Sequence, residues 1–492
     1  MIRDRERRKP SAAAMAAGIG GLVALILLGI QLPADPAVGV TASDSPFTDE
    51  GWYVLGARNL ALLGRMVTDE WQLAWATLPF TLIVAAAFEF LDVGIVQARV
   101  VSLASSVIAV AIVAAFVARR LGPVAGIVAG VGTATSALLL FYGRLAILEP
   151  MVALFLVMGL AMLLARATDR SLARGLAAGA AFALAIGTKP SAATAVAGIL
   201  LGALVAGRPA VPGLGRRAAM AVATIAAAGV VWAAIVIPQP GVLDSILRIW
   251  TVQAAPGSAM DVLQRVVDYA GESDGAIPMG APLAVGSIVG IPLIALRWRS
   301  LDPDRRALAG AAIGWLVLGM ATLLVASYRP SRYVVPMLPA MAILSGFAVA
   351  IALEVARERL RIRTHAAVVA AVTAVLCIGV GFAGVGDVVR WTAAATYQLP
   401  QVQAEVLERV TDGHAIQGYA PTFAMRVPVP TIVVRSGIND GDLYASHGVR
   451  WLLADPDVRP TWAAEHADAW AARERLACYG WPTGEVCLIR VP

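Results

Sequence analysis

The sequence predicts an α-helical polytopic membrane protein with a small α/β domain at its C-terminus. Three observations predict it. Of the 492 residues, 59% are hydrophobic and 15% charged, where an average soluble domain has roughly 25% charged residues. Apolar runs recur along residues 1–386, each about 18 to 22 residues long and so able to cross about 30 Å of hydrocarbon at 1.5 Å per residue. From Asp387 onward the pattern turns to short alternating strands and amphipathic helices.

The first element follows a basic stretch of Arg3, Arg5, Arg7, Arg8 and Lys9, and runs from Ser11 to Leu32. It is built like a signal peptide, but the spans after it make it an uncleaved anchor. The positive-inside rule then puts the N-terminus in the cytoplasm and Pro33 onward outside. Spans are expected near 15–32, 97–118, 123–141, 147–165, 173–188, 190–207, 217–237, 279–296, 307–327, 333–355 and 366–386. About eleven crossings of a plasma membrane leave the C-terminus outside. Arginine clusters at 119–120, 166–174, 208–217, 297–306 and 357–363 then all fall in cytoplasmic loops.

One apolar segment, Leu73 to Leu91, is left over. A single crossing there would turn every later arginine cluster outward, and Pro79, Glu89 and Asp92 interrupt it. It reads as a juxtamembrane or re-entrant helix in the first outer loop, residues 33–96; a second outer loop covers 238–278.

Residues 387–492 read as an extracytoplasmic α/β domain following the transmembrane module of residues 1–386. A polar helix is expected near 400–412, strands at 415–419, 431–435 and 451–454, a helix near 461–477 and a last strand at 486–491. Cys478 and Cys487 flank a turn-rich stretch, where a hairpin disulfide forms if the domain faces an oxidising compartment. Cys377 lies in an apolar run and reads as packing; three cysteines make no disulfide scaffold, and no histidine stands at metal-ligand spacing from them. The net charge of +6 is scattered through short loops, nearly all of it arginine, and forms no nucleic-acid-binding stripe.

The polar residues with consequences for chemistry fall at the outer face. Asp49 and Glu50 follow the first span, with Trp52 and Tyr53 beside them. Such a pair either supplies a catalytic base at the membrane surface or opens a helix, Asp49 as cap and Glu50 in the first turn. Arg144 and Glu149 join two spans; they pair with each other, cap the next helix, or serve a site at the membrane edge, where an unpaired acid is costly. Arg99, Lys189, Arg329 and Arg332 lie on the side disfavoured for cations. Singly they snorkel to lipid phosphates; converging, they form a pocket for an anionic head group.

Acids and phosphate binders on one face point to a sugar carried on a polyprenyl phosphate. Asp49 would take a proton from an acceptor hydroxyl while arginine and lysine stabilise the leaving phosphate. No Walker loop or dinucleotide fingerprint is present, and this chemistry needs neither. A transporter or flippase of a lipid-linked or anionic solute is the alternative, but repeated halves and paired broken helices are not found.

In order and spacing, Asp49-Glu50, Arg99, Arg144 to Pro150, Lys189 and Ser331-Arg332-Tyr333-Val-Val-Pro-Met-Leu-Pro339 resemble the membrane glycosyltransferases of the C-type fold. More narrowly they are similar to the protein O-mannosyltransferase and aminoarabinose transferase group, over roughly residues 15–350. The resemblance implies Asp49 as base with Glu50 beside it, Glu149 as the second acid, and inversion at the anomeric carbon. It further implies donor-phosphate contacts from Arg99, Arg144, Lys189, Arg329 and Arg332 and a pocket with Trp52, Tyr53 and Tyr333. The acceptor would be a glycan, lipid or protein. No cofactor is required; some members hold a divalent metal near these acids, and the residues here neither demand nor forbid one. Two departures stand out: Trp75-Ala-Thr-Leu-Pro79 replaces a Lys-Pro-Pro-Leu or His-Pro-Pro-Leu stretch, and the C-terminal domain is not the β-trefoil of eukaryotic protein mannosyltransferases.

Overall fold

The computed structural model describes residues 11–36, 49–69, 72–165, 171–208, 210–251, 257–271, 281–325, 330–360, 393–411, 413–418, 421–433, 446–454, 458–481 and 484–492, with isolated positions at 379, 386, 389 and 390. The N-terminal part is helical. Helix α1 (Ala12–Gly29) starts where the Ser11 hydroxyl accepts the Ala14 N–H at 3.2 Å. The stretch after α1 holds α2 (Glu50–Leu63), α3 (Leu73–Ala76) and α4 (Leu78–Leu91). The segment is interrupted at Thr77, two residues before Pro79, so that Pro79 sits in the first turn of α4, where a missing N–H removes no helical bond. With 14 residues, α4 extends about 21 Å, short of the bilayer core.

The bundle continues with α5 (Ile95–Leu121), α6 (Pro123–Ala134), α7 (Ala137–Tyr142), α8 (Glu149–Leu163), α9 (Ser171–Thr188), α10 (Ala192–Gly207) and α11 (Leu214–Val236). After α12 (Val242–Thr251) and α13 (Ala259–Gly271) come α14 (Ala281–Arg297), α15 (Pro303–Val325) and α16 (Leu338–Leu360). Six helical stretches among the described residues are long and apolar enough to span a membrane, and five shorter apolar helices accompany them. The single span expected at 123–141 is instead two helices broken at Thr135–Ser136. The Thr133 and Thr135 hydroxyls donate back to the carbonyls four residues earlier, at 2.7 and 2.8 Å, an alternative partner that loosens the helix end. The span expected at 366–386 lies outside the described residues apart from isolated positions.

Small residues set the closest packing. A Cβ on Gly198 or Gly314 would lie 2.1 Å from the carbonyl of the other, and Gly202 and Gly310 face each other in the same way. Helices α10 and α15 therefore touch backbone to backbone, the close approach that glycines four apart allow within a membrane. The 3₁₀ segment Ser331–Met337 leads into α16, and the two form a buried centre to the bundle.

At the C-terminus, α17 (Gln398–Arg409) precedes a five-stranded sheet of order β2-β1-β3-β5-β4. Strands β1 (Ile416–Gly418), β2 (Thr431–Val433) and β3 (Trp451–Ala454) are parallel, β5 (Gly484–Arg490) runs antiparallel to β3, and β4 (Glu474–Trp481) closes a hairpin with β5. The helix expected near 461–477 ends earlier, as Val458–Glu465 and Ala467–Ala471, and its last residues belong to β4. Cys478 and Cys487 are cross-strand partners in that hairpin and are joined by a disulfide.

Candidate active site

The two adjacent acids at the start of α2 point in different directions, since successive helical residues are about 100° apart. Glu50 turns into the protein and is 0% exposed. Its two carboxylate oxygens accept Arg99 Nε and Nη2, each at 2.7 Å, and Oε1 also accepts the Ala146 N–H at 2.7 Å. Arg99 Nη1 donates to the Leu32 and Ala34 carbonyls at 2.9 and 2.6 Å. Each partner thus satisfies the other's buried charge. The structure places Glu50 and Arg99 together in a buried ion pair that joins α2 to the bundle. Arg144 belongs to this cluster too, feeling the charges of Arg99 and Glu50 and donating to the Gln31 carbonyl.

Asp49 faces the other way. It stands at the N-cap position, yet its side chain makes no capping bond. The carboxylate, 31% exposed, pairs with Arg332 Nη2. Arg332 Nε in turn lies 3.8 Å from Glu149 Oε1, which accepts Lys189 Nζ at 2.6 Å. Asp49, Arg332, Glu149 and Lys189 therefore form a row of alternating charge, drawn from α2, the 3₁₀ segment, the first residue of α8 and the turn between α9 and α10. Glu149 is 0% exposed, and among the described residues its Oε2 has no hydrogen-bond partner. Leaving a buried carboxylate oxygen unpaired is costly.

Two tyrosines line the row. Lys189 Nζ sits 3.2 Å from the centre of the Tyr333 ring, and the Arg332 guanidinium 5.3 Å from it. Burial first, and then the charge on Asp49, push the Tyr53 hydroxyl well above its usual range, so it stays a neutral donor. Burial brings the Lys189 ammonium down to about 8, against the pull of Glu149. A small groove runs from Lys189 and Tyr333 along Ser191, Thr322, Leu323 and Met337.

Trp52, read as a pocket residue, is not part of this row. It packs with Leu55, Leu73 and Val433 and lines a separate small hollow with Asn59 and Asp69. Arg329 lies outside the described residues. Among the described residues one group has metal-ligand spacing, Cys478, Glu485 and Cys487, and its two sulfurs are consumed in the disulfide.

Sequence reasoning missed two residues that hold the site's surroundings. Asp35, 5% exposed, accepts the Gln398 and Leu399 N–H groups at 2.8 and 2.9 Å and the Thr396 hydroxyl at 2.7 Å, capping α17 from a distant part of the chain. Arg58, on α2, is buried among carbonyls of the C-terminal domain. Its signal was present: an arginine between Leu55 and Leu62 interrupts the apolar face of an amphipathic helix.

Neither a protein-family model nor a curated protein matches the sequence. Solved structures do. ArnT from Cupriavidus metallidurans bound to undecaprenyl phosphate matches with a TM-score of 0.65 at 16% identity, over 96% of this chain and 97% of that one. The Archaeoglobus fulgidus oligosaccharyltransferase tethered to an acceptor peptide gives 0.58 at 11% identity, over 97% and 74% of the two chains. AglB from the same organism, in complex with an inhibitory peptide and a dolichol-phosphate, gives 0.59 at 11% identity, over 91% and 70%.

Proposed function

On the C-type fold that it shares with these membrane glycosyltransferases, we propose that this chain transfers a sugar from a polyprenyl-phosphate donor to an acceptor at the outer face of the plasma membrane. The observation that carries the reading is the row Asp49, Arg332, Glu149 and Lys189: a partly exposed carboxylate beside two cations, of which Lys189 lines a groove.

The donor phosphate competes with Asp49 for Arg332 Nη2 and takes Lys189 as its second cation. Asp49 is then free to accept the proton of an acceptor hydroxyl or amine. The acceptor attacks the anomeric carbon opposite the phosphate, the carbon–oxygen bond to phosphate breaks, and the configuration inverts. Lys189 and Arg332 stabilise the charge that builds on the departing phosphate, the interaction that contributes most in such sites. Glu149 keeps both cations in place, and its unpaired Oε2 accepts a hydroxyl of the bound sugar. Tyr53 and Tyr333 wall the sugar. The apolar side of the groove, Leu323 and Met337, suits an isoprenoid tail. The protein is multi-pass with a cytoplasmic N-terminus, and the domain of residues 387–492 faces the side on which the disulfide persists. The acceptor is a glycan, a lipid or a protein, and a divalent metal is not required by this mechanism.

Transfer of labelled sugar from a panel of polyprenyl-phosphate donors in envelope membranes tests the reading. Wild type is expected to label an acceptor with one or more donors. Absence of transfer with every donor in the panel counts against the proposal.

A further inference from the structure

Helix α2 carries Asp49 but is no part of the membrane bundle, and two bodies grip it. On one side the Glu50–Arg99 pair and the Ala146 N–H fasten its first turn to the bundle. On the other side lies the C-terminal domain. Arg58 Nη2 donates to the Val429 carbonyl at 2.8 Å, the Ala424 carbonyl at 3.3 Å and the Val427 carbonyl, and Nε reaches the Met425 carbonyl at 3.4 Å. Nη1 donates to Asn59 Oδ1 at 2.6 Å, so the guanidinium is fully used.

Further contacts surround this clamp. A Cβ on Gly51, two residues from Asp49, would lie 2.3 Å from the Thr422 hydroxyl and 2.5 Å from the Thr422 nitrogen. Trp52 packs on Val433. Asp69 Oδ2 accepts the Val433 N–H at 2.7 Å, and the Thr68 hydroxyl donates to the Thr431 carbonyl at 2.9 Å. Because β1, β2 and β3 are parallel, their carboxyl ends share one edge of the sheet. Val433 ends β2, and the segment Pro421–Ala424 follows β1, so that edge abuts α2. The Ala424 and Val427 carbonyls also accept the Val427 and Val429 N–H groups, at 3.1 and 2.9 Å, so the turn that Arg58 grips is itself held by backbone bonds.

We infer that the C-terminal domain is a working part of the catalytic centre, and that Arg58 is the positioning residue through which it holds Asp49 against Arg332. The inference rests on Asp49 being the base for its catalytic half and on geometry alone for its mechanical half. The two halves have separate readouts.

The first readout is amide hydrogen exchange of full-length Arg58→Lys in nanodiscs. Lysine keeps the charge and part of the donation but loses the fork. Exchange in residues 50–63 and 421–429 is expected to rise at least about tenfold while the spans keep their protection. Unchanged protection of α2 overturns the inference. Gly51→Ala, a one-methyl wedge between α2 and Thr422, decides the same question if Arg58→Lys does not fold.

The second readout is a double-mutant cycle with Asp49→Asn, using the donor found active in the panel. Arg58→Lys should lower kcat per folded molecule by about 10- to 100-fold, as a misplacement near 1 Å does, with the donor KM little changed. Added to Asp49→Asn it should cost almost nothing more, because both act through the same group. Multiplying losses mark Arg58 as a general fold stabiliser and overturn its positioning role. Full activity of Asp49→Asn alone refutes the base reading, and the exchange experiment then still decides the mechanical half.

Discussion

Glu50→Gln separates two carboxylates that stand side by side in sequence. In the wild type the Glu50 carboxylate accepts three hydrogen bonds at 2.7 Å, two from Arg99 and one from the Ala146 N–H. Both side chains of the ion pair are at most 1% exposed. Removing one partner of such a pair leaves a buried charge uncompensated and costs about 3–5 kcal/mol. A glutamine oxygen in the Oε1 place still accepts Arg99 Nε and the Ala146 N–H, while the NH₂ group is turned toward Arg99 Nη2, so the loss lies near the lower bound of about 3 kcal/mol. That is roughly a hundredfold in the folded-to-unfolded ratio. Thermal unfolding and folded yield in detergent would read it, alongside transfer activity per folded molecule. Glu50→Gln should lose stability while the folded fraction keeps turning over; Asp49→Asn should unfold like the wild type and lose turnover. A Glu50→Gln protein of undiminished stability and abolished turnover would refute the assignment of Glu50 to the scaffold.

Other outcomes follow from the same geometry. Lys189 serves the phosphate only while charged, and its folded-state value is lowered to about 8; activity should therefore fall as pH rises through about 8, and Lys189→Arg should carry that limb upward in a pH–rate profile. The lowered value also means that the folded state binds the Lys189 proton less tightly than the unfolded chain, so this group's contribution to stability rises with pH between about 8 and the ordinary lysine value of 10.5. Gly314→Ala places a methyl 2.1 Å from the Gly198 carbonyl, and the forced separation of α10 and α15 should cost about 1–3 kcal/mol, visible as a lower unfolding temperature. Asp35→Ala removes the remote cap of α17 and should cost about 0.5–2 kcal/mol by the same assay.

The members of the row were legible in the sequence at the level of residue type. Lys189 and Arg332 stood out because cations on the face expected outside are rare enough to need a reason, and Asp49 because an acid follows the first span; the structure brings the three together with Glu149. Direction was not readable. Asp49 and Glu50 are neighbours with the same chemistry, and only the helix twist sends one to Arg332 and the other to Arg99. Trp52 and Tyr53 divide in the same way, one toward the C-terminal domain and one toward the row of charges.

The partners of Arg58 and Asp35 lie more than 360 residues away along the chain, beyond any local pattern. The glycines at 198, 202, 310 and 314 were readable from their spacing of four, and went unread because alanine and glycine are abundant in every span. Strand β4 was absorbed into the preceding helix because Glu474-Arg-Leu-Ala lacks a β-rich composition. Its strand character comes from pairing with β5.

The central claim is that Asp49 is the base and shares Arg332 with the donor phosphate. Binding of polyprenyl phosphate and sugar transfer, measured together on wild type and Asp49→Asn in nanodiscs, test it most directly. The account predicts that the asparagine variant binds the lipid phosphate at least as tightly as wild type, since a competitor for Arg332 is gone, and transfers sugar only at a residual rate about 10²- to 10⁴-fold below wild type. Undiminished transfer by the variant, or loss of lipid binding together with transfer, would contradict it.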